Sequence, residues 1–220
     1  MIAQFDAEGF VLAGGRSSRM GAEKALVSFA GEPLITHALR ILRNAGLSAS
    51  IAGARAPLER FAPVVPDDEP GNESDKNSGH GPLSGICAAL ASTSAHWAVF
   101  LPVDMPLLPS SLVTLLLHEA VEGGAVAVVP EVNGFTETFP AVVDRALLPA
   151  LRTELDAGRA GCLSALKTAA ASVDGRVRIV SVDNAVRDGR LAHPDALDLS
   201  LWLLNINRPE DLARAEACRC

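Results

Sequence analysis

The sequence predicts an α/β fold: one three-layer α/β/α domain around a mostly parallel central sheet. Three observations carry this expectation. At 220 residues the chain is long enough for one substantial hydrophobic core and short for two. Hydrophobic residues make up 49% of it, yet no apolar run approaches the ~20 residues of a membrane span, so this content belongs in a core. Short continuous apolar runs alternate with stretches of helical spacing, the pattern of successive βα units.

The elements follow in order. Gly9-Phe10-Val11-Leu12-Ala13 is an apolar run ending in glycines, a buried strand that leads into a loop at the carboxyl edge of the sheet. Pro33 opens a helix over Leu34 to Leu42, closed by Gly46. Strands are predicted near Ala49 to Ala52 and Ala62 to Val65, followed by a polar, Gly-rich loop from Pro70 to Gly81. A helix covers Leu83 to Ala91, and Trp97 to Leu101 is a continuous apolar run suited to a central strand buried on both faces. A helix from Pro109-Ser110-Ser111 runs until Gly123-Gly124 stops it. Val126 to Val129, Phe139 to Val143 and Val177 to Val182 read as strands, and Arg145 to Leu155 and Cys162 to Ala170 as helices. Pro209 and the acidic Glu210 and Asp211 open a last helix.

A formal charge of -7 argues against nucleic-acid or anionic-membrane partners, which demand a basic face. Local basic clusters can still hold a small polyanion. The four cysteines, Cys87, Cys162, Cys218 and Cys220, lack zinc-finger spacing, and no secretory apolar segment precedes them. They are read as free thiols of a cytoplasmic protein.

The segment LAGGRSSRMGAEK, Leu12 to Lys24, follows the first strand, where open α/β sheets bind ligands. It is not a P-loop: Met20 occupies the second glycine position, and Lys24 stands between Glu23 and Ala25. It is not a dinucleotide fingerprint either, because Arg16-Ser17-Ser18-Arg19-Met20 separate the Gly14-Gly15 pair from Gly21. Taken alone it reads as a solvated loop or as a triphosphate cradle. In the cradle, small residues admit backbone amides to phosphate oxygens while Arg19 and Lys24 neutralise charge.

The segment resembles the signature of the molybdenum cofactor guanylyltransferases, L-A-G-G-x-S-x-R-M-G-x-D/E-K. GPLSGICAAL from Gly81, LPVDMPLLP from Leu101 and NINRPEDL from Asn205 resemble the same family in the same order, so the likeness spans nearly the whole chain. The resemblance implies a Rossmann-like sheet of the nucleotide-diphospho-sugar transferase type. A nucleotide-binding half would cover about residues 1–125 and an acceptor half about 126–220. It also implies transfer of GMP from GTP to the phosphate of molybdopterin, with Mg²⁺ as cofactor and pyrophosphate released. Other cofactor-biosynthesis proteins are the partners it suggests.

Residue by residue, the resemblance makes Asp104 the metal ligand, since a carboxylate just past a buried strand faces the crevice and Mg²⁺ prefers hard oxygens. Lys24 becomes the phosphate lysine and Arg19 a phosphate ligand, with a salt bridge to Glu23 as the alternative for Arg19, and Arg16 can be a plain loop residue. Leu12, Ala13, Gly14 and Gly15 would meet the nucleotide through backbone groups. Asp67, with Asp68 as its rival, matches an acidic nucleotide ligand, and Gly81, Pro82 and Leu83 match the segment beside base and ribose. Asn207 stands where relatives place an amide ligand to metal or substrate, and is equally a good helix N-cap. By chain position, Asn133 to Pro140 and the Gly158 to Gly161 loop border the acceptor pocket, with Arg159 facing its phosphate. Two departures from the family pattern stand out: the stretch between Asp68 and Gly81 is long, and Ala52-Gly53-Ala54-Arg55 lacks an expected asparagine. The sister cytidylyltransferases carry L-A-A-G, so Gly14 favours guanine. An accessory protein that kept the fold without turnover is the alternative of a different class, and retention of Lys24 and Asp104 argues against it.

Overall fold

The computed structural model describes residues 5–13, 24–53, 58–66, 81–158 and 161–218. The first apolar run forms β1 (Ala7–Leu12), whose residues alternate between two cores: Phe10 and Leu12 join one, Val11 the other, all buried. Burial on both faces is what an uninterrupted apolar strand requires. β1 lies between β4 (Ser48–Ala52) and β6 (Trp97–Pro102) and runs parallel to both, with Leu12 opposite Ala52 and Pro102.

Before β4 come a two-residue hairpin, β2 (Ser28–Phe29) and β3 (Glu32–Pro33), and helix α1 (Leu34–Asn44). The hairpin turns on Ala30 and Gly31, both at positive φ, in a segment the sequence pattern leaves unassigned. α1 lays Leu34, Ile35, Ala38, Leu39 and Leu42 into the core, and Gly46, at φ 83°, follows its end as expected. Leu42 packs so closely on Gly9 that a Cβ there would come within 3.0 Å of it.

After β4 the described elements are β5 (Val64–Val65), α2 (Pro82–Ser92), β6, α3 (Ser110–Gly123), β7 (Ala127–Val132), β8 (Phe135–Thr136) and β9 (Ala141–Asp144). Then come α4 (Leu148–Asp156), α5 (Cys162–Ser172), β10 (Val177–Ser181), α6 (Val182–Arg187), α7 (Leu199–Trp202) and α8 (Pro209–Ala217). Among the described residues the main sheet has eight strands in the order β10-β7-β9-β6-β1-β4-β5, with β8 paired to β7. One core holds α1, α3, α6, α7 and α8 on one face, and the other holds α2, α4 and α5 on the opposite face. These are the three expected layers.

The expected parallel character holds except at β9 and the small β8. β9 runs antiparallel to both β6 and β7. Only eight residues separate Val132 from Ala141, too few for the crossover that a parallel neighbour requires. Because β9 sits next to β6, the sheet runs unbroken across the boundary near residue 125.

Element boundaries differ from expectation: β7 runs on to Val132, and β9 starts at Ala141 instead of Phe139. The third strand is confined to Val64–Val65, without Ala62. Residues Arg145–Leu147 form a 3-10 turn before α4, because the Asp144 carboxylate accepts a hydrogen bond from the Ala146 amide. Val182 opens α6 instead of extending β10, since the Ser181 hydroxyl accepts from the Asn184 amide.

Candidate active site

β1, β4 and β6 are parallel, so their carboxyl ends share one edge of the sheet. Each chain end is tied there before it departs: Ala13 N–H donates to Ala52 O at 3.0 Å, Val103 N–H to Leu12 O at 3.2 Å and Gly53 N–H to Val65 O at 3.3 Å. Leu12 and Ala13 bury their side chains in the two cores, and the Ala13 N–H and Leu12 carbonyl are bonded within the sheet. α2 leads into β6, so its amino end, Gly81-Pro82-Leu83, returns to this same edge. Gly81 and Pro82 are exposed, whereas Leu83 is fully buried and serves the core with its side chain.

Lys24 begins a 3-10 turn, Lys24–Leu26, held by the fully buried Ala25 and by Val27 N–H donating to Lys24 O. From this base its ammonium donates to Asp104 Oδ2 at 2.5 Å and to Asn207 Oδ1 at 2.5 Å. Three residues from distant parts of the chain thus meet at one point.

The fold fixes the two oxygen donors tightly. Asp104 is flanked by the buried Val103 and Met105, and its carbonyl accepts a hydrogen bond from Ile206 N–H at 2.9 Å. In the turn after β6 the Asp104 carboxylate stays partly exposed and meets the Lys24 ammonium. Ile206 is itself fully buried, so the segment carrying Asn207 is pinned across the end of β6. One residue further, Asp211 Oδ2 accepts from both Asn207 N–H (3.0 Å) and Arg208 N–H (2.9 Å). Arg208 is therefore the N-cap of α8, and Asn207, one position earlier, has its side chain free of capping duty. The alternative of Asn207 as an N-cap is corrected, and its side-chain oxygen meets the Lys24 ammonium.

The chemistry of the donors suits a small hard cation. A carboxylate oxygen and an amide oxygen converge on a position that an ammonium already fills. Among the described residues no group of three or more His, Cys, Asp and Glu side chains could make an all-protein metal cage. Mg²⁺ needs no such cage, since it takes one or two protein oxygens together with phosphates and water.

The expectations for Gly14, Gly15, Arg16, Arg19, Asp67, Asp68, Arg159 and the Ala54-Arg55 segment lie outside the described residues, as do residues 70–80 and Cys220. Further along the chain, β7 is antiparallel to β9 and β9 to β6, so β7 and β6 run the same way and the β7–β8 hairpin stands at the edge where β1 and β6 end. It presents Phe135 with 73% of its surface exposed. Sequence reading framed this hairpin but singled out neither Phe135 nor the positioning pair Ile206 and Asp211. The Asn133-Gly134 turn signal was available for the hairpin. Cys87 and Cys162 are buried, and burial pushes the Cys162 thiol up to about 11, although a backbone hydrogen bond at the residue opposes this. Cys162 is thus an inert core thiol.

Comparison with known proteins shows the family. The profile of the MobA-like NTP transferase domain matches residues 9–179. A molybdenum cofactor guanylyltransferase of Pseudomonas entomophila is 32% identical over 192 residues, covering 87% of this chain and 94% of the relative. A probable molybdenum cofactor guanylyltransferase of Opitutus terrae is 34% identical over 211 residues, covering 94% and 93%. Among solved structures, molybdopterin-guanine dinucleotide biosynthesis protein A from Archaeoglobus fulgidus shares the fold with a TM-score of 0.72 at 23% identity, over 96% of this chain and 97% of that one. The chain therefore belongs to the MobA-like NTP transferases, within the molybdenum cofactor guanylyltransferase family of nucleotidyltransferases.

Proposed function

We propose that this enzyme transfers GMP from GTP to the terminal phosphate of molybdopterin and releases pyrophosphate. The observation that carries the reading is the meeting of Lys24, Asp104 and Asn207 at the carboxyl edge of β1 and β6, in a chain of this family. A phosphate oxygen of the acceptor attacks the α-phosphorus in line. The new P–O bond forms as the bond to the β-phosphate bridging oxygen breaks, and pyrophosphate departs with the electron pair. A phosphate nucleophile is already anionic, so no general base is required. The protein's task is to align two polyanions and offset their repulsion.

In this reading Asp104 and Asn207 hold Mg²⁺, which when bound supplies Lewis-acid charge to the triphosphate. The Lys24 ammonium moves onto phosphate oxygens and stabilises the charge developing on pyrophosphate. The backbone of Leu12 and Ala13 and the amino end of α2 line the nucleotide side. The exposed Phe135 hairpin stands on the acceptor side. Both substrates are small cytoplasmic anions, and we place the enzyme there; no described helix is long and apolar enough to cross a membrane.

The test is a pyrophosphate-release assay with molybdopterin and each of GTP, CTP, ATP and UTP in the presence of Mg²⁺. Release with GTP far above the other three is expected. Preferential release with CTP would replace guanylyl by cytidylyl transfer, and release with none would leave a binding protein.

A further inference from the structure

The Lys24 ammonium lies 2.5 Å from Asp104 Oδ2 and 2.5 Å from Asn207 Oδ1, filling the point on which the two oxygens converge. Magnesium–oxygen bonds are about 2.0–2.1 Å, so an ion bound to both oxygens would stand in nearly the same place. Two adjacent cations carrying three positive charges cannot share one carboxylate there. We infer that Lys24 is an internal competitor for the divalent metal: its ammonium closes the Asp104–Asn207 seat in the free enzyme, and the seat opens when a triphosphate draws the ammonium away. This rests on the reading of Asp104 and Asn207 as the metal-holding oxygens.

The surroundings separate a movable cation from fixed oxygens. The Lys24 backbone is anchored by the fully buried Ala25, while its side chain keeps 22% exposure and a flexible four-carbon stem. The ammonium can therefore swing without moving the turn. Asp104 is held through its own carbonyl by Ile206 N–H, and Asn207 through its own amide by Asp211. Neither oxygen can follow the lysine. In the free enzyme the Asp104 charge is offset by Lys24, which removes most of the attraction a lone divalent ion would feel. An arriving triphosphate offers the ammonium several anionic oxygens and supplies the metal's remaining ligands. Metal and nucleotide thus enter together, and the catalytic lysine enforces that order.

The test uses Mn²⁺ as the probe on the whole protein, with nucleotide absent, and reads bound Mn²⁺ by loss of the free-ion electron paramagnetic resonance signal. Wild type is expected to bind weakly, and Lys24→Met at least tenfold more tightly. Lys24→Arg, which keeps a cation of similar reach, is expected to stay as weak as wild type; Lys24→Gln, uncharged and polar, is expected to bind as tightly as the Met variant and decides the matter if that variant fails to fold. A parallel water-proton relaxation measurement with Mn²⁺ and GTP asks whether Asp104→Asn removes the enzyme-bound metal–nucleotide signal. Equal Mn²⁺ affinity in wild type and Lys24→Met, or tight binding in wild type, overturns the competition while a loss in Asp104→Asn keeps the metal assignment. An unchanged relaxation signal in Asp104→Asn overturns both.

Discussion

Replacing Asp104 by asparagine removes one negative charge from the cluster and keeps a side chain of nearly the same shape. The effect on stability is bounded by burial: Lys24 and Asp104 retain 22% and 14% side-chain exposure. Exposed ion pairs contribute about 0–1 kcal/mol, and breaking fully buried ones costs about 3–5 kcal/mol. This pair lies between, and Lys24 can turn its ammonium to water, so a cost of about 1–2 kcal/mol is expected. For a domain of this size each kcal/mol lowers the Tm by roughly 2–4 °C, giving a drop of about 2–8 °C. Activity has no such relief if, as proposed, the lost charge belongs to the seat of the reacting phosphates. Removing one preorganised electrostatic group typically costs about 10²–10³ in kcat. The two readouts should therefore separate: pyrophosphate release falls at least a hundredfold at a temperature where circular dichroism shows the variant folded. A kcat within tenfold of wild type would remove Asp104 from the chemistry. A Tm loss beyond about 10 °C, with activity tracking the folded fraction, would make the residue a structural anchor instead.

Further expectations follow from the same geometry. Asp211→Ala strips two amides of their acceptor and should lower stability by about 1 kcal/mol, a typical capping loss. It should also raise the KM for GTP, because Asn207 loses its register; an unchanged KM would show that Asn207 is held without the cap. Cys162 titrates at about 11 in the fold against 9.0 for a free thiol, so its contribution is intact below pH 9 and lost as pH rises toward 11. Urea titrations should show wild type losing up to about 3 kcal/mol more than Cys162→Ala across that window; parallel slopes would refute it. Phe135→Ala, at a residue 73% exposed, should change stability by under about 0.5 kcal/mol. It should leave the GTP-induced Tm rise unchanged while raising the KM for molybdopterin, and an unaltered acceptor KM would place the ring outside the acceptor path.

The sequence determined the elements whose signals are local. β1 and β6 are legible because strands buried on both faces need uninterrupted apolar residues, and α1 and α3 because their ends carry Pro and Gly signals. It also singled out Lys24 and Asp104, which stand in recognisable segments and which the fold brings together. Local pattern could not supply the direction of β9, which depends on which neighbours it pairs with. The two-residue hairpin and the short α6 and α7 offer too few residues for a period to show. The position of the Asn207 side chain beside Lys24 was decided only by tertiary structure. As a sequence signal, asparagine before Arg-Pro fits a cap as well as a ligand. The structure separates these because Asp211 takes the capping bonds and buried Ile206 ties the segment to Asp104, 102 positions earlier in the chain. Residue types and spacing thus state which groups can hold phosphate and metal. Their convergence on one point is a matter of long-range packing, because it requires hydrogen bonds between segments 80 and 183 residues apart.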